Sequence, residues 1–443
     1  MTTQTLRRDF GRYVSLSVLG MIAVSCYILA DTFFVAQGLG TTGLAALNLA
    51  IPVYNVIHGT GLLLGMGGAT KFSILKSQGA HRRADSVFTH TLGMAAAAAA
   101  AFALTGALGA PQLAALLGAD GETAAMTGTY LRVLLLFAPA FLCNDVLVCF
   151  VRNDGAPQLA MAATLSGSLA NVVMDWFFIF PCGMGIFGAV LATGFSPVIG
   201  VIVQSPHWLG RRRGFHLRQV RPRLRTAGQV LALGVPSLLD QLSGAVVMIT
   251  FNTLILGLTG NTGVAAYGVV ANLSLVVLSV YTGIAQGIQP LVSRAWGQGQ
   301  RAALQRLLRY ALGTALVFSA ALYLVFFLGA GPIAGVFNSE QDPAMQAIAC
   351  QGLRLYFLAA PFAGVNIILA VYFASVEQAV PAQAVSLLRG ILVILPMAVA
   401  LAAAFGMVGV WVAFPVSEAL VALVAWALLR RCRRTLYPAS RES

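Results

Sequence analysis

Thr42-Gly43-Leu44-Ala45-Ala46 recurs 220 residues later as Thr262-Gly263-Val264-Ala265-Ala266. Three further pairs keep that spacing. Gln78-Gly79 returns as Gln298-Gly299, and Arg132, with Pro139 seven residues on, returns as Arg354 with Pro361. Gly185-Ile186-Phe187-Gly188-Ala189 returns as Gly406-Met407-Val408-Gly409-Val410. Offsets of 220 to 222 along most of the chain mean two copies of one plan. Between the repeated markers lie apolar runs of about twenty residues, each long enough to cross a bilayer core of about 30 Å.

The chain is 58% hydrophobic and 9% charged, where a soluble domain carries about 25% charged residues. The sequence therefore predicts an all-α polytopic membrane protein with no separate soluble domain. Six spans are expected in the first half, at about 11–37, 43–69, 86–110, 122–150, 161–180 and 185–208. Six more follow at about 227–256, 263–291, 302–330, 344–374, 381–404 and 406–429. The expected organisation is a six-helix bundle over 1–210, a basic linker over 211–226, a second bundle over 227–434 and a tail over 435–443. Six spans per half return each copy to the starting side, so the repeat is parallel, and such repeats place substrate between the halves near mid-membrane.

A net charge of +13 invites a nucleic-acid reading. The placement of the charges argues against it. Of 27 Lys and Arg residues, all but Arg132, Arg354 and Arg389 fall at the termini or in alternating loops. The positive-inside rule puts those loops and both termini in the cytoplasm. Arg211 to Arg225 holds seven arginines and reads as a topology determinant, with anionic headgroups as the other reading. Arg7, Arg8 and Arg12 precede an apolar stretch too long for a signal peptide, so it reads as the first span. Six cysteines show no metal spacing and are expected to be inert thiols.

Asn171-Val172-Val173-Met174-Asp175 lies within the fifth apolar run. A carboxylate there is costly, by roughly 2.5–3.5 kcal/mol on insertion scales, and marks an ion or substrate pathway. Four residues apart, Asn171 and Asp175 share a helix face. Asp31 and Asp175 each lie about seven residues from an outer turn, roughly 10 Å deep, and Thr193 descends to roughly 16 Å. Asp31, Asn171, Asp175 and Thr193 thus fall in one layer and make a plausible hard-cation shell, for Na⁺ if sodium is the coupling ion. Two close carboxylates also share a proton readily. At the repeat offset Asp31 faces Phe251 and Thr193 faces Phe414, so the second half lacks this layer.

Other polar residues carry less. Tyr54, Asn55, His58, Gln286 and Gln289 are candidates for lining a substrate cavity, or for gluing helices together. Asp240 and Glu418 either line a cavity for a cationic substrate or close local polar contacts. Asp145 reads as structural, near the cytoplasmic boundary. Arg132 and Arg354 read as snorkelling residues at outer helix ends. No Walker loop, His-Glu-x-x-His or Gly-x-Ser-x-Gly occurs, so nothing supports an enzyme.

These residues together resemble the multidrug and toxic compound extrusion (MATE) transporters, and within them the bacterial branch named for MepA. The resemblance covers nearly the whole chain. It rests on Ala30-Asp31-Thr32-Phe33-Phe34-Val35, Val151-Arg152-Asn153-Asp154-Gly155, Asn171 to Asp175, Gly185 to Thr193 and the paired Gln-Gly. It implies two six-helix bundles around a central cavity, alternating access, and export of organic cations against H⁺ or Na⁺. The family's cation network maps onto Asp31, Asn171, Asp175 and Thr193. One departure is that span 1 has no proline, where some relatives bend that helix at one; Gly20 is the residue that permits bending. The reading is a monomeric antiporter of a bacterial inner membrane, without cofactor beyond its coupling ion and without nucleic-acid partners. Two other classes were weighed: a flippase for lipid-linked or polyanionic substrates, which needs a basic cavity, and a membrane-embedded enzyme.

Overall fold

The computed structural model describes residues 3–210, 213–338 and 341–436, with side chains described through Cys432. Of the expected tail over 435–443, residues 435 and 436 continue the last helix and 437–443 lie outside that description, as do the side chains of Arg211, Arg212, Arg433 and Arg434. Among the described residues the regular structure is entirely helical.

Among the described residues eight helices are long and apolar enough to cross a membrane, and a ninth span is the bent pair Gly121–Leu136 and Ala138–Asn153, angled by 48°. Three of the eight are broken by a glycine with positive φ. Thr3–Ser77 turns at Gly40 (φ 63°, ψ −157°), Leu224–Gly297 at Gly260 (φ 66°, ψ −155°) and Ala379–Cys432 at Gly406 (φ 59°, ψ −136°). Only glycine enters that region of φ/ψ without strain. Dividing the helices there yields twelve spans, as the sequence predicts. Span 1 is then 3–40, and Gly40 is the only non-helical residue in Thr3–Ser77. The helix is not broken at Gly20.

The repeat is written into the backbone as well as the side chains. Gly40 and Gly260 are one pair at 220 residues, and Gly79 (φ 76°) and Gly299 (φ 66°) another. The two non-glycine residues with positive φ, Gln341 and Glu377, stand where the first half has Gly121 and Gly155. The bend at the Pro139 repeat also recurs, because the counterpart span passes from Pro343–Tyr356 through the 3-10 turn Phe357–Ala359 into Ala360–Ser375.

The chain forms two compact units, Ser15–Leu242 and Met1–Val14 with Ser243–Ser443. Their boundaries fall inside spans 1 and 7 (224–260), not in the linker. The cause is a pair of close backbone crossings. A Cβ on Gly67 would collide with the Val230 carbonyl, and one on Gly234 with that of Leu63, so the start of span 7 is seated on span 2 (41–77). Gly287, 220 residues after Gly67, meets the backbone of Tyr13 and Val14 in the same way. Each half thus packs the first turns of the other half's leading helix.

From 213 to 223 the linker is a strap on the first unit. Phe215, 2% exposed, inserts among Phe72, Phe88, Phe150 and His207. Asp154 accepts hydrogen bonds from Lys76, from His207 Nε2 (2.8 Å) and from the Gly214 N–H (2.7 Å). Farther along, the His216 N–H donates to Asp85 (3.1 Å) and the Arg223 N–H to His90 Nε2 (3.0 Å).

Candidate cation-coupling site

Span 5 (Pro157–Ile179) and span 6 (Gly185–Trp208) form a close hairpin. Glycine makes the approach possible: a Cβ on Gly167 would lie 2.9 Å from the Ser196 carbonyl oxygen, and one on Gly188 2.9 Å from Phe178 Cβ. This register sets Asn171 and Asp175 against Thr193. The Asn171 amide, oriented to satisfy its neighbours, donates to Asp175 Oδ2 (3.1 Å) and accepts from the Thr193 N–H (3.3 Å). The Thr193 hydroxyl donates to the Ala189 carbonyl (3.1 Å). Asp31, from span 1, lies within electrostatic reach of Asp175. All four residues are buried, Asn171 and Asp175 completely. Asp31 Oδ1 and Asp175 Oδ1 have no hydrogen-bond partner, so one oxygen of each carboxyl is left over.

The structure therefore joins the four residues that the depth argument put in one layer. It adds a fifth, Tyr130, which is buried and lies within electrostatic reach of Asp31 and Asp175. Nothing in the sequence singled Tyr130 out, because its depth in a bent span cannot be counted from a single turn. Tyr27 was also missed, although its place one helical turn before Asp31 was legible.

The other candidates divide between the units. In the first, the Tyr54 hydroxyl meets the Tyr27 hydroxyl at 2.5 Å, and the Tyr54 ring stacks on His58 (5.8 Å, 13°). His58 Nδ1 lies 2.9 Å from Asp145 Oδ2. Asp145 is 7% exposed and is met by His58 inside the bundle, a partner the sequence reading did not name. Asn55 and Asp240 are partly exposed.

In the second unit Gln286 and Gln289 are buried, and Gln289 donates to Ser293 (3.3 Å). Glu418, 2% exposed, accepts from Arg389 Nε (3.0 Å) and from Asn366 Nδ2 (2.6 Å). Of the two readings left open for Glu418, the local polar contact is what forms. Arg389 reaches it from the π-helical turn Leu388–Leu392. Where the first unit has Asp31 and Thr193, the second is aromatic: Phe251 stacks on Tyr267 (5.6 Å) and Phe414 on Tyr356 (4.5 Å).

A family model, MatE, matches residues 17–177 and again 236–400, one match in each half of the repeat. The chain belongs to the MatE family. Among curated relatives it is 24% identical over 421 residues to the multidrug export protein MepA of Staphylococcus saprophyticus, covering 95% of this chain and 92% of that one. Among solved structures it resembles a multidrug resistance MATE family transporter of the MOP superfamily in an outward-facing conformation (TM-score 0.91, 24% identity, 98% and 99% of the two chains). It also resembles a MOP superfamily transporter from Pyrococcus furiosus described as having a binding pocket of reversed polarity (TM-score 0.88, 24% identity, 97% and 96%). The fold is that of these transporters, and the chain is a polytopic membrane transporter rather than an enzyme.

Proposed function

We propose that this MatE protein is an antiporter that exports organic cations in exchange for protons bound at Asp31–Asp175. The observation that carries the reading is the burial of two carboxyls, Asp31 and Asp175, within electrostatic reach of each other. Two carboxylates about 4 Å apart repel by about 4 kcal/mol at an effective dielectric constant near 20, so such a pair favours holding a proton on one of them. Asn171 bridges Asp175 and the Thr193 N–H, and each carboxyl keeps one oxygen without a partner, so a proton loads the pair without rebuilding the hydrogen bonds around it. Proton binding favours one state of the first unit, and substrate favours the other.

A cationic substrate agrees with the charge inventory. The first unit holds Asp31, Asp145, Asp175 and Asp240 in its spans, whereas Arg389 is matched by Glu418. An intramembrane cation already neutralised within its own bundle is poor evidence for the flippase reading. MepA relatives are named multidrug export proteins, which supports a broad substrate range. We place the chain in a bacterial cytoplasmic membrane with both termini inside, acting as a monomer. The test is proton release from detergent-solubilised protein in weak buffer on adding ethidium. Release is expected from wild type and not from Asp175→Asn; binding without release would sink proton coupling.

A further inference from the structure

Asp145 is a second buried carboxylate that the coupling pair does not use, and span 2 is built to receive it. A Cβ on Gly61 would collide with the Asp145 carboxylate, and one turn on, a Cβ on Gly65 would lie 2.9 Å from the Asp145 carbonyl oxygen and 3.0 Å from Cys149 Sγ. The repeat shows that packing alone does not require this seat. At the same offsets the second half has Leu278 for His58, Ile367 for Asp145 and Tyr281 for Gly61. Ile367 and Tyr281 are buried there. The scaffold closes without a polar pair in one half and spends two glycines on admitting one in the other.

Among the described residues His58 is the only ion-pair partner of Asp145. The remaining ionisable groups around the pair are the Cys143 and Cys149 thiols on the Asp145 helix, Tyr54 on span 2 and Tyr27 on span 1. From span 7, Leu238 and Gln241 pack on Gly59, with Asp240 between them in sequence. Arg152 acts on Cys149 from the cytoplasmic end of span 4. A carboxylate inside a bundle is costly unless paired, and imidazole is the side chain that gains and loses its charge near neutral pH. Tyr54 stacks on His58 and meets Tyr27, which lies within electrostatic reach of both Asp31 and Asp145. Hydroxyl and ring groups therefore run from the coupling pair to the dyad.

We propose that His58 and Asp145 form a second proton-binding site, loaded and emptied in each cycle, so that one exported monovalent cation is exchanged for two protons. One proton adds to neutral His58, and the imidazolium pairs with the Asp145 carboxylate. The proton leaves when the exported cation takes over as counter-charge to that carboxylate. The exchange ratio rests on the proton-coupled reading of Asp31–Asp175; proton binding by the dyad does not.

Two readouts test it. The chain has five histidines, so ¹⁵N-histidine-labelled protein in nanodiscs gives few signals, and His58→Gln assigns one. The His58 signal should titrate between pH 5 and 9, and Asp145→Asn should lower its midpoint by about one unit or more. The other four signals report that both variants are folded. In liposomes, reversal potentials for tetraphenylphosphonium should give two protons per cation in wild type and one in His58→Gln. A His58 signal that does not titrate, or titrates identically in Asp145→Asn, would overturn the proposal, as would an unchanged ratio in His58→Gln. An Asp145-dependent titration in a protein that moves no cation would uphold the proton site and contradict the exporter reading instead.

Discussion

Asp31 on span 1 and Asp175 on span 5 lie within electrostatic reach of each other, and each keeps one buried oxygen without a partner. Asn171 bridges Asp175 and the Thr193 N–H, and Tyr130 is buried within electrostatic reach of both carboxyls. Tyr130→Phe removes one buried hydroxyl beside the pair, an effect of about 1 kcal/mol. Proton-driven export should persist with apparent proton affinity shifted by about fivefold. Rates measured across a pH series check this; loss of all transport would mean that Tyr130 does more than tune the carboxyl pair.

The Arg389–Glu418 pair makes a different prediction. Removing one partner of a buried ion pair typically costs roughly 3–5 kcal/mol, while replacing both by apolar residues is often neutral. Glu418→Gln should lower the melting temperature, and the double variant Arg389→Met/Glu418→Met should recover it. A double variant no better than the single one would show that the charges serve more than local pairing.

Asp154 lies outside the membrane spans and clamps the linker. Burial alone pushes its carboxyl up, but the hydrogen bonds from His207, Lys76 and the Gly214 N–H outweigh this and hold it below the ordinary carboxylate value. A depressed carboxyl contributes stability above its unfolded value of about 3.9, and that stability is lost as pH falls through the lower folded value. Hydrogen-exchange protection of residues 213–223 should therefore persist down to about pH 4. In Asp154→Asn it should fall by roughly tenfold or more at neutral pH. Equal protection in the variant would show that Phe215 alone holds the strap.

The crossing at Gly234 should tolerate little. Gly234→Val places side-chain atoms against the Leu63 backbone, and overpacking of this kind typically costs 1–3 kcal/mol, occasionally more (~). Thermal unfolding should show a clear loss. The same change at Gly244, which has open space around it, should be close to neutral.

Twelve spans, the repeat and the shared layer of four buried polar residues were legible because each rests on a one-dimensional signal: apolar run length, recurring offset, and distance from a turn. Asp31, Asn171, Asp175 and Thr193 could be brought to one depth by counting rise per residue. Lateral partners could not. Whether Asp145 faced lipid, cytoplasm or His58 depended on the rotation of a bent span and on a glycine in another helix. Glu418 and Arg389 are 29 residues apart in sequence and meet only because a π turn carries Arg389. The linker arginines were readable as a charge signal, but the plug that orders the strap is Phe215, a single aromatic residue among polar ones.

The most direct measurement uses purified protein in liposomes loaded with a fluorescent organic cation. A proton gradient without Na⁺, then a Na⁺ gradient at constant pH, is imposed on wild type and on Asp31→Asn. The account predicts movement of the cation under the proton gradient alone, and none in Asp31→Asn. Movement driven by Na⁺ alone, or an unimpaired Asp31→Asn variant, would contradict it.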